Sequence, residues 1–302
     1  MTTTELKVPE APPSEASLPA GEEPGFERVD RVFVIRPAPR WPHLDFGELW
    51  HYRELLFRFV WRDIKVRYKQ SFLGIAWALL VPLFTTAIYV LIFGKFAQMP
   101  SGVLAYQILI ISGLLPMQYF SSALTGSSMS LVSNGNLVRK VYFPRALLPL
   151  AGVTVPLVDF VISLAVLAGF MVYFDVAPAG PEVLLAPLFV AYALLTALGA
   201  GFFLLTLTVR YRDVPHALPV FMGVLPLISG VIYEVSDLPT KWQWILSLNP
   251  MTGVISGWRW AVVGGPAPDP AQFAVGVAVA ALIFLGGLAF FRTSEPRFAD
   301  TL

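Results

Sequence analysis

The chain has 302 residues, 56% of them hydrophobic and only 14% charged. A soluble domain carries about 25% charged residues, and a mean hydropathy of +0.67 places the surplus apolar mass in a membrane. With 21 Lys and Arg against 20 Asp and Glu, no basic field exists to neutralise phosphates, which excludes a nucleic-acid binder. The lack of cysteine excludes a disulfide scaffold, a zinc ribbon and a thiol nucleophile. Three scattered histidines, His43, His51 and His216, argue against a metal site.

Residues 1–45 differ in material from the rest. Their first part holds most of the early acids with Pro9, Pro12, Pro13, Pro19 and Pro24 and few aliphatics, so a disordered cytoplasmic tail is expected. The charged-then-apolar layout of a cleaved secretory signal is missing. Residues 31–35 alternate weakly, as a short strand or a linker would. Over 46–70, Glu54, Arg58, Arg62, Lys65 and Lys69 recur at helical spacing on one face, and Leu49, Tyr52, Leu56, Val60 and Ile64 on another. That division predicts an amphipathic helix lying in the membrane plane. Its wet face serves either as a plain orienting anchor or as a docking surface for a cytosolic partner.

From Phe72 onward, long apolar runs alternate with short polar punctuation, at about 72–93, 104–124, 147–173, 183–209, 214–233 and 272–291. About 20 residues at 1.5 Å each cross a hydrocarbon core of about 30 Å. The pattern predicts an all-α membrane protein with six transmembrane helices over 71–302. Prolines within the runs, at 82, 116, 156, 219 and 226, are tolerable where neighbours satisfy the freed carbonyls. Residues 210–213, Arg-Tyr-Arg-Asp, read as a tight turn with its charges in headgroups. With the N-terminus inside, every Lys and Arg except Lys95, Lys241 and Arg259 falls on the cytoplasmic side, so both termini are expected there.

The inside loop after the second run contains Asn134-Gly135-Asn136, a helix breaker, then Leu137, Val138, Arg139, Lys140, Val141 and Tyr142 as a short helix ending before Phe143-Pro144-Arg145. Orientation requires only the charges, whereas the apolar groups suit an interface pocket. The outside segment 234–270 is aromatic. It holds one apolar piece with Trp242 and Trp244, an Asn249-Pro250 N-cap signal, and a second piece with Trp258, Arg259 and Trp260. The second piece is too short to span. It is either a headgroup-level aromatic belt or part of a re-entrant pair of short helices between spans five and six.

No G-x-x-x-x-G-K-[ST] cradle occurs, so this chain holds no nucleotide phosphates by that route. Asp159 is the single clear mid-span acid, with no basic partner in any run, which speaks against ion coupling and for a carboxylate satisfied inside the bundle. No Ser-His-Asp or paired-carboxylate set is placed for hydrolysis. The reading is a non-enzymatic conduit with no cofactor of its own, powered from elsewhere.

Several segments in order resemble one family: Trp50, Arg53-Glu54-Leu55, the run from Arg62 to Lys69, Leu73-Gly74-Ile75-Ala76-Trp77, Pro82, Gly113-Leu114-Leu115-Pro116, Asn136 to Val141, Phe143-Pro144-Arg145, Gly199, Tyr211-Arg212-Asp213-Val214, Asn249-Pro250 and Phe298-Ala299-Asp300. Across about 46–302 they resemble the ABC-2 type permeases that export bacterial polysaccharides such as O-antigen, capsule and teichoic acid. The resemblance departs at Ser229-Gly230-Val231-Ile232-Tyr233, where many relatives have Ser-Pro-Val, and the N-terminal tail matches no motif.

The resemblance implies a homodimer in the bacterial inner membrane carrying two cytosolic ABC ATPase subunits, which bind the ATP and magnesium, and moving a lipid-linked polysaccharide. The positions that would contact the ATPase are Arg58, Arg62, Lys65, Leu137, Val138, Arg139, Lys140, Tyr142, Phe143 and Arg145. The outside gate would be Trp242, Trp244, Asn249, Pro250, Trp258 and Trp260. Sugar C–H faces pack on aromatic rings, and Tyr89, Phe93, Tyr106, Tyr119, Phe120 and Tyr233 are the candidate channel aromatics. The alternatives are an ABC-2 exporter of small amphiphiles or drugs, an ion-coupled secondary carrier and a structural membrane scaffold.

Overall fold

The computed structural model describes residues 46–69, 74–99, 104–211 and 213–298. The tail expected over 1–45, with its weakly alternating stretch, lies outside the described residues, as do Arg212 and the last four residues. Among the described residues there are helices and no strand. In chain order they are α1 (Phe46–His51), α2 (Arg53–Lys69), α3 (Ala76–Tyr89), α4 (Tyr106–Ser133), α5 (Gly135–Lys140), α6 (Leu147–Thr154), α7 (Pro156–Tyr173), α8 (Ala186–Arg210), α9 (Val214–Val224), α10 (Thr240–Ser247), α11 (Pro250–Val263) and α12 (Pro270–Ser294).

Five stretches of the described residues are long and apolar enough to cross a membrane: Ala76–Phe96, Tyr106–Ser133, Leu147–Tyr173, Gly180–Arg210 and Pro270–Ser294. The run expected at 214–233 folds as a shorter apolar helix, Val214–Ile228, ending in a 3-10 turn. The reason is local. Pro226 removes a main-chain donor, and Gly230 adopts a left-handed φ of 76°, so the helix cannot continue. The third run is interrupted only at Val155, where Pro156 begins α7 directly after α6. Pro82 and Pro116 lie inside α3 and α4. Past Tyr89, α3 widens into a π-helix over Val90–Phe96, with Ala97 N–H bonding Ile92 C=O at 2.9 Å.

The core is built around α4. Residues 108–117 of this helix are buried on every side, against α6, α7, α8 and α11. Small residues permit the close approaches. A Cβ at Gly126 would lie 2.7 Å from Gly152 O, bringing α4 onto α6, and one at Gly199 would lie 2.4 Å from Phe284 Cα, bringing α8 onto α12. In contrast, α3 leaves Trp77, Phe84 and Ile88 exposed, and α9 leaves Val220, Phe221 and Val224 exposed. In lipid such faces need no protein cover.

The two adjacent glycines of α12 separate packing from composition. A Cβ at Gly287 would sit 2.0 Å from Gly199 O, whereas one at Gly286 meets nothing within 4 Å. Gly287→Ala is expected to destabilise the protein by about 1–3 kcal/mol through overpacking. It should lower the melting temperature of the purified protein, and Gly286→Ala should not.

Candidate functional site

One end of the bundle is a platform made by α2 and the turn after α4. Phe59 is the buried residue of α2 and meets Phe143 edge-on at 5.6 Å between centroids. Leu49, Tyr52, Leu56 and Val60, four of the five residues of the predicted apolar face, pack against the core around it, and Ile64 is not among them. Arg62 donates from Nη2 to Asn134 Oδ1 at 2.8 Å and from Nε to Asp63 Oδ1 at 2.8 Å, with its guanidinium 5.4 Å from the Phe59 ring centroid. The helix break falls at Asn134, and α5 begins at Gly135, slightly earlier than the spacing predicts. Val138 and Phe143 are buried and Leu137 is half-buried, whereas Arg139, Lys140 and Tyr142 are exposed, Tyr142 at 87%. Arg58 and Lys65 are exposed too, with the Lys65 ammonium 5.2 Å from the Trp61 ring. Arg145 differs: it donates to the Glu295 carbonyl, tying the turn to the end of α12.

Above the platform lies a cavity of about 1020 Å³. Its hydroxyl-bearing wall is α4, which contributes Gln118, Ser121, Ser122, Thr125, Ser130 and Ser133. Gln118, Ser122, Thr125, Met129 and Ser133 recur at steps of three and four, so they share one helical face. The opposite walls come from α3 (Trp77, Val81, Thr85, Tyr89), from α6 and α7 (Gly152, Pro156, Asp159, Ser163) and from the short apolar helix Val214–Ile228 (Pro219, Met222, Gly223, Pro226). At its mouth Asp159 accepts from Arg67 and from the Tyr68 hydroxyl. Burial and the hydrogen bond to Asp159 hold the Tyr68 phenol well above its ordinary range. Asp159 is therefore satisfied, as expected, but by side chains of α2 about ninety residues earlier. Its basic partner is outside the apolar runs.

Of the six candidate channel aromatics, Tyr89 and Tyr119 line this cavity. Tyr119 donates to Val153 O at 3.2 Å and packs on Phe160 at 5.7 Å. Phe93 lies against Tyr89 at 5.6 Å, and Phe120 is in the core. Tyr106 donates to Ile232 O at 3.0 Å, and Tyr233 is half-buried in the cap.

That cap closes the other end. Asn249 is the N-cap of α11, its side chain accepting from Met251 N–H at 3.0 Å ahead of the buried Pro250. Trp258 is buried and packs on Phe160 at 5.3 Å, while Trp260 is half-buried and Trp242 and Trp244 are exposed on α10. At the centre is Arg259, 0% exposed. It donates to four carbonyls, Gly230 at 2.8 Å, Tyr233 at 3.2 Å, Val231 at 2.7 Å and Leu109 at 2.8 Å. Glu234 lies 3.8 Å away. Burial pulls the guanidinium down to about 10, with Glu234 opposing the shift, so Arg259 is a cation at neutral pH. Burial raises the Glu234 carboxyl, and Arg259 offsets part of that rise. In the sequence Arg259 counts only as one of three basic residues on the outside. The available signal was a cation amid the apolar residues of a short helix, between two tryptophans.

A basic platform, a hydroxyl-bearing cavity and a capped far end are set among helices of membrane-crossing length, as in a membrane protein. The family comparison makes the class specific. Residues 54–263 match the ABC-2 type transporter family, and the chain belongs to it. It is similar to the O-antigen export system permease protein RfbA of Klebsiella pneumoniae, 28% identical over 243 residues, covering 80% of this chain and 92% of that one. The Myxococcus xanthus protein of the same name is 27% identical, covering 84% of this chain and 98% of that one. The polysialic acid transport protein KpsM of Escherichia coli is 24% identical, covering 78% and 91%.

The two attachments of α2 differ in strength. Phe59 is a buried aromatic, and truncating such a residue costs about 3–5 kcal/mol in a full core. Arg67 and Asp159 remain 43% and 32% exposed, so solvent screening holds their pair to about 0–1 kcal/mol. Phe59→Ala is expected to raise amide exchange across α2 about 100-fold, and Asp159→Asn by less than about tenfold. Exchange followed by mass spectrometry should leave the middle of α4 unchanged in both variants.

Proposed function

We propose that this chain is the permease subunit of an ATP-driven exporter that passes a lipid-linked polysaccharide across the bacterial cytoplasmic membrane. The observation that carries the reading is the cavity. Its α4 wall offers exchangeable hydrogen-bonding groups, and Tyr89 and Tyr119 offer ring faces, as a hydroxyl-rich polymer requires. Relatives named for O-antigen export and polysialic acid transport along most of the chain point to the same class of cargo.

In this reading Val214–Ile228 together with 229–233 makes the fifth of six crossings, and α10 and α11 form a re-entrant pair between it and α12. The excess of Lys and Arg on the α2 side supports cytoplasmic termini. Two copies related by a two-fold axis would complete the path. The exposed apolar faces of α3 and α9, which flank the cavity, suit that contact. Two cytosolic ATPase subunits would bind ATP and magnesium and grip α2 and the exposed Arg139, Lys140 and Tyr142. Closure of the ATPase pair would then move α2 and the turn at 137–145 together.

Deleting the gene should remove surface polysaccharide and leave lipid-linked glycan inside the cell. The reading fails if surface glycan persists. The double substitution R139E/K140E touches exposed charges only. It should leave the protein in the membrane, lower export at least tenfold and weaken co-purification of the ATPase. Because the natural chain has no cysteine, single cysteines at Lys140 and Lys241 also test the topology with an impermeant thiol reagent. Only the second should label from outside.

A further inference from the structure

The end of the cavity opposite α2 runs up against non-helical main chain. Its lining residues on α4 begin at Leu114, and those on Val214–Ile228 stop at Pro226. Directly beyond both limits lies the non-helical stretch 229–233, crossed by the guanidinium of Arg259. A peptide released from its helix at membrane depth exposes carbonyls that lipid cannot satisfy. Here the carbonyls of Ile228, Gly230, Val231, Ile232 and Tyr233 are met by side chains from elsewhere. Arg259 of α11 takes Gly230, Val231 and Tyr233, Tyr106 of α4 takes Ile232, and Asn249 reaches Ile228 O at 3.3 Å and Ser229 Oγ at 2.8 Å. The fourth Arg259 bond, to Leu109 O, fixes the peptide onto α4. The neighbouring backbone leaves room for it. A Cβ at Gly113 would meet Arg259 Nη2 at 2.7 Å.

We propose that Arg259 is the positioning residue of the outer seal, holding residues 229–233 as a plug across the path, so that its loss gives a folded but leaky protein. This rests on the transport reading, because a seal presupposes a path. Lysine cannot replace the guanidinium, since an ammonium is a point charge that cannot reach four carbonyls in a planar fork. The hold on the peptide is the set of carbonyl bonds; Glu234, 3.8 Å away, helps to offset the burial of the cation but bonds none of these main-chain groups.

The test is potassium efflux from liposomes holding the purified full chain, with no ATPase and no glycan present. Its failure is therefore distinct from a failure of the export reading, which surface glycan reports. The wild type and Glu234→Gln are expected to be tight. Arg259→Gln should leak at least about tenfold faster, having lost several charge-assisted bonds, with Arg259→Lys in between. Tyr106→Phe removes one neutral bond and should leak about two- to fivefold faster. Thermal melting and gel filtration establish that each variant is folded, a readout on which a merely structural arginine would show its only effect. A folded Arg259→Gln as tight as wild type overturns the proposal. So does a wild type as leaky as Arg259→Gln, or a folded Glu234→Gln that leaks equally. Where Arg259→Gln does not fold, Tyr106→Phe decides: a faster leak supports the seal, and a tight Tyr106→Phe overturns it.

Discussion

The structure is organised by the need to satisfy main-chain polar groups wherever a helix stops inside an apolar surround. Water is not there to do it, so each interruption must be served by a donor brought from another element. The largest interruption, between Ile228 and Glu234, receives three side chains from α4, α11 and the α11 N-cap. Burying a guanidinium carries a desolvation cost of several kcal/mol. Four carbonyl acceptors and a nearby carboxylate offset that cost at this one place, and the geometry leaves little freedom for the surrounding peptide.

The same constraint explains the division of labour among the helices. α4 is surrounded, and its close contacts with α6 and with α8 pass through residues too small to be replaced. Such packing resists deformation. α2, α3 and α9 each bury only one or two residues and leave several large apolar groups facing outward. A rigid interior edged by loosely held helices lets the edges shift without unfolding the centre.

Much of this was legible in the sequence, because crossing a membrane demands a composition that nothing else resembles. Five of the six runs emerge as helices of spanning length. The apolar face of α2 and the Asn249 N-cap also follow from spacing and capping chemistry alone. Other features were hidden for identifiable reasons. The second run was expected to end near 124, yet α4 continues to Ser133. The serines and threonines there lower hydropathy, but several of their hydroxyls bond carbonyls of the preceding turn, so the helix proceeds. Two of these residues, Thr125 and Ser130, also line the cavity. Asp159 and Arg67 are far apart in sequence, and no local pattern joins them. Arg259 looked like a surface charge because its four acceptors are main-chain atoms, which carry no residue signature.

The attachments of α2 have a mechanical consequence. Phe59 meets the turn at Phe143, Arg62 meets Asn134, and Arg67 meets Asp159 of α7. The outermost of these points are about 12 Å apart along the helix, at 1.5 Å per residue. A rod held at one point pivots when pushed, whereas a rod held at several points along one half resists pivoting there. Force applied along α2 is thus passed mainly to the foot of α4 through Phe59 and Arg62, with the weaker Arg67–Asp159 pair as its link to α7 on the opposite side of the same chamber.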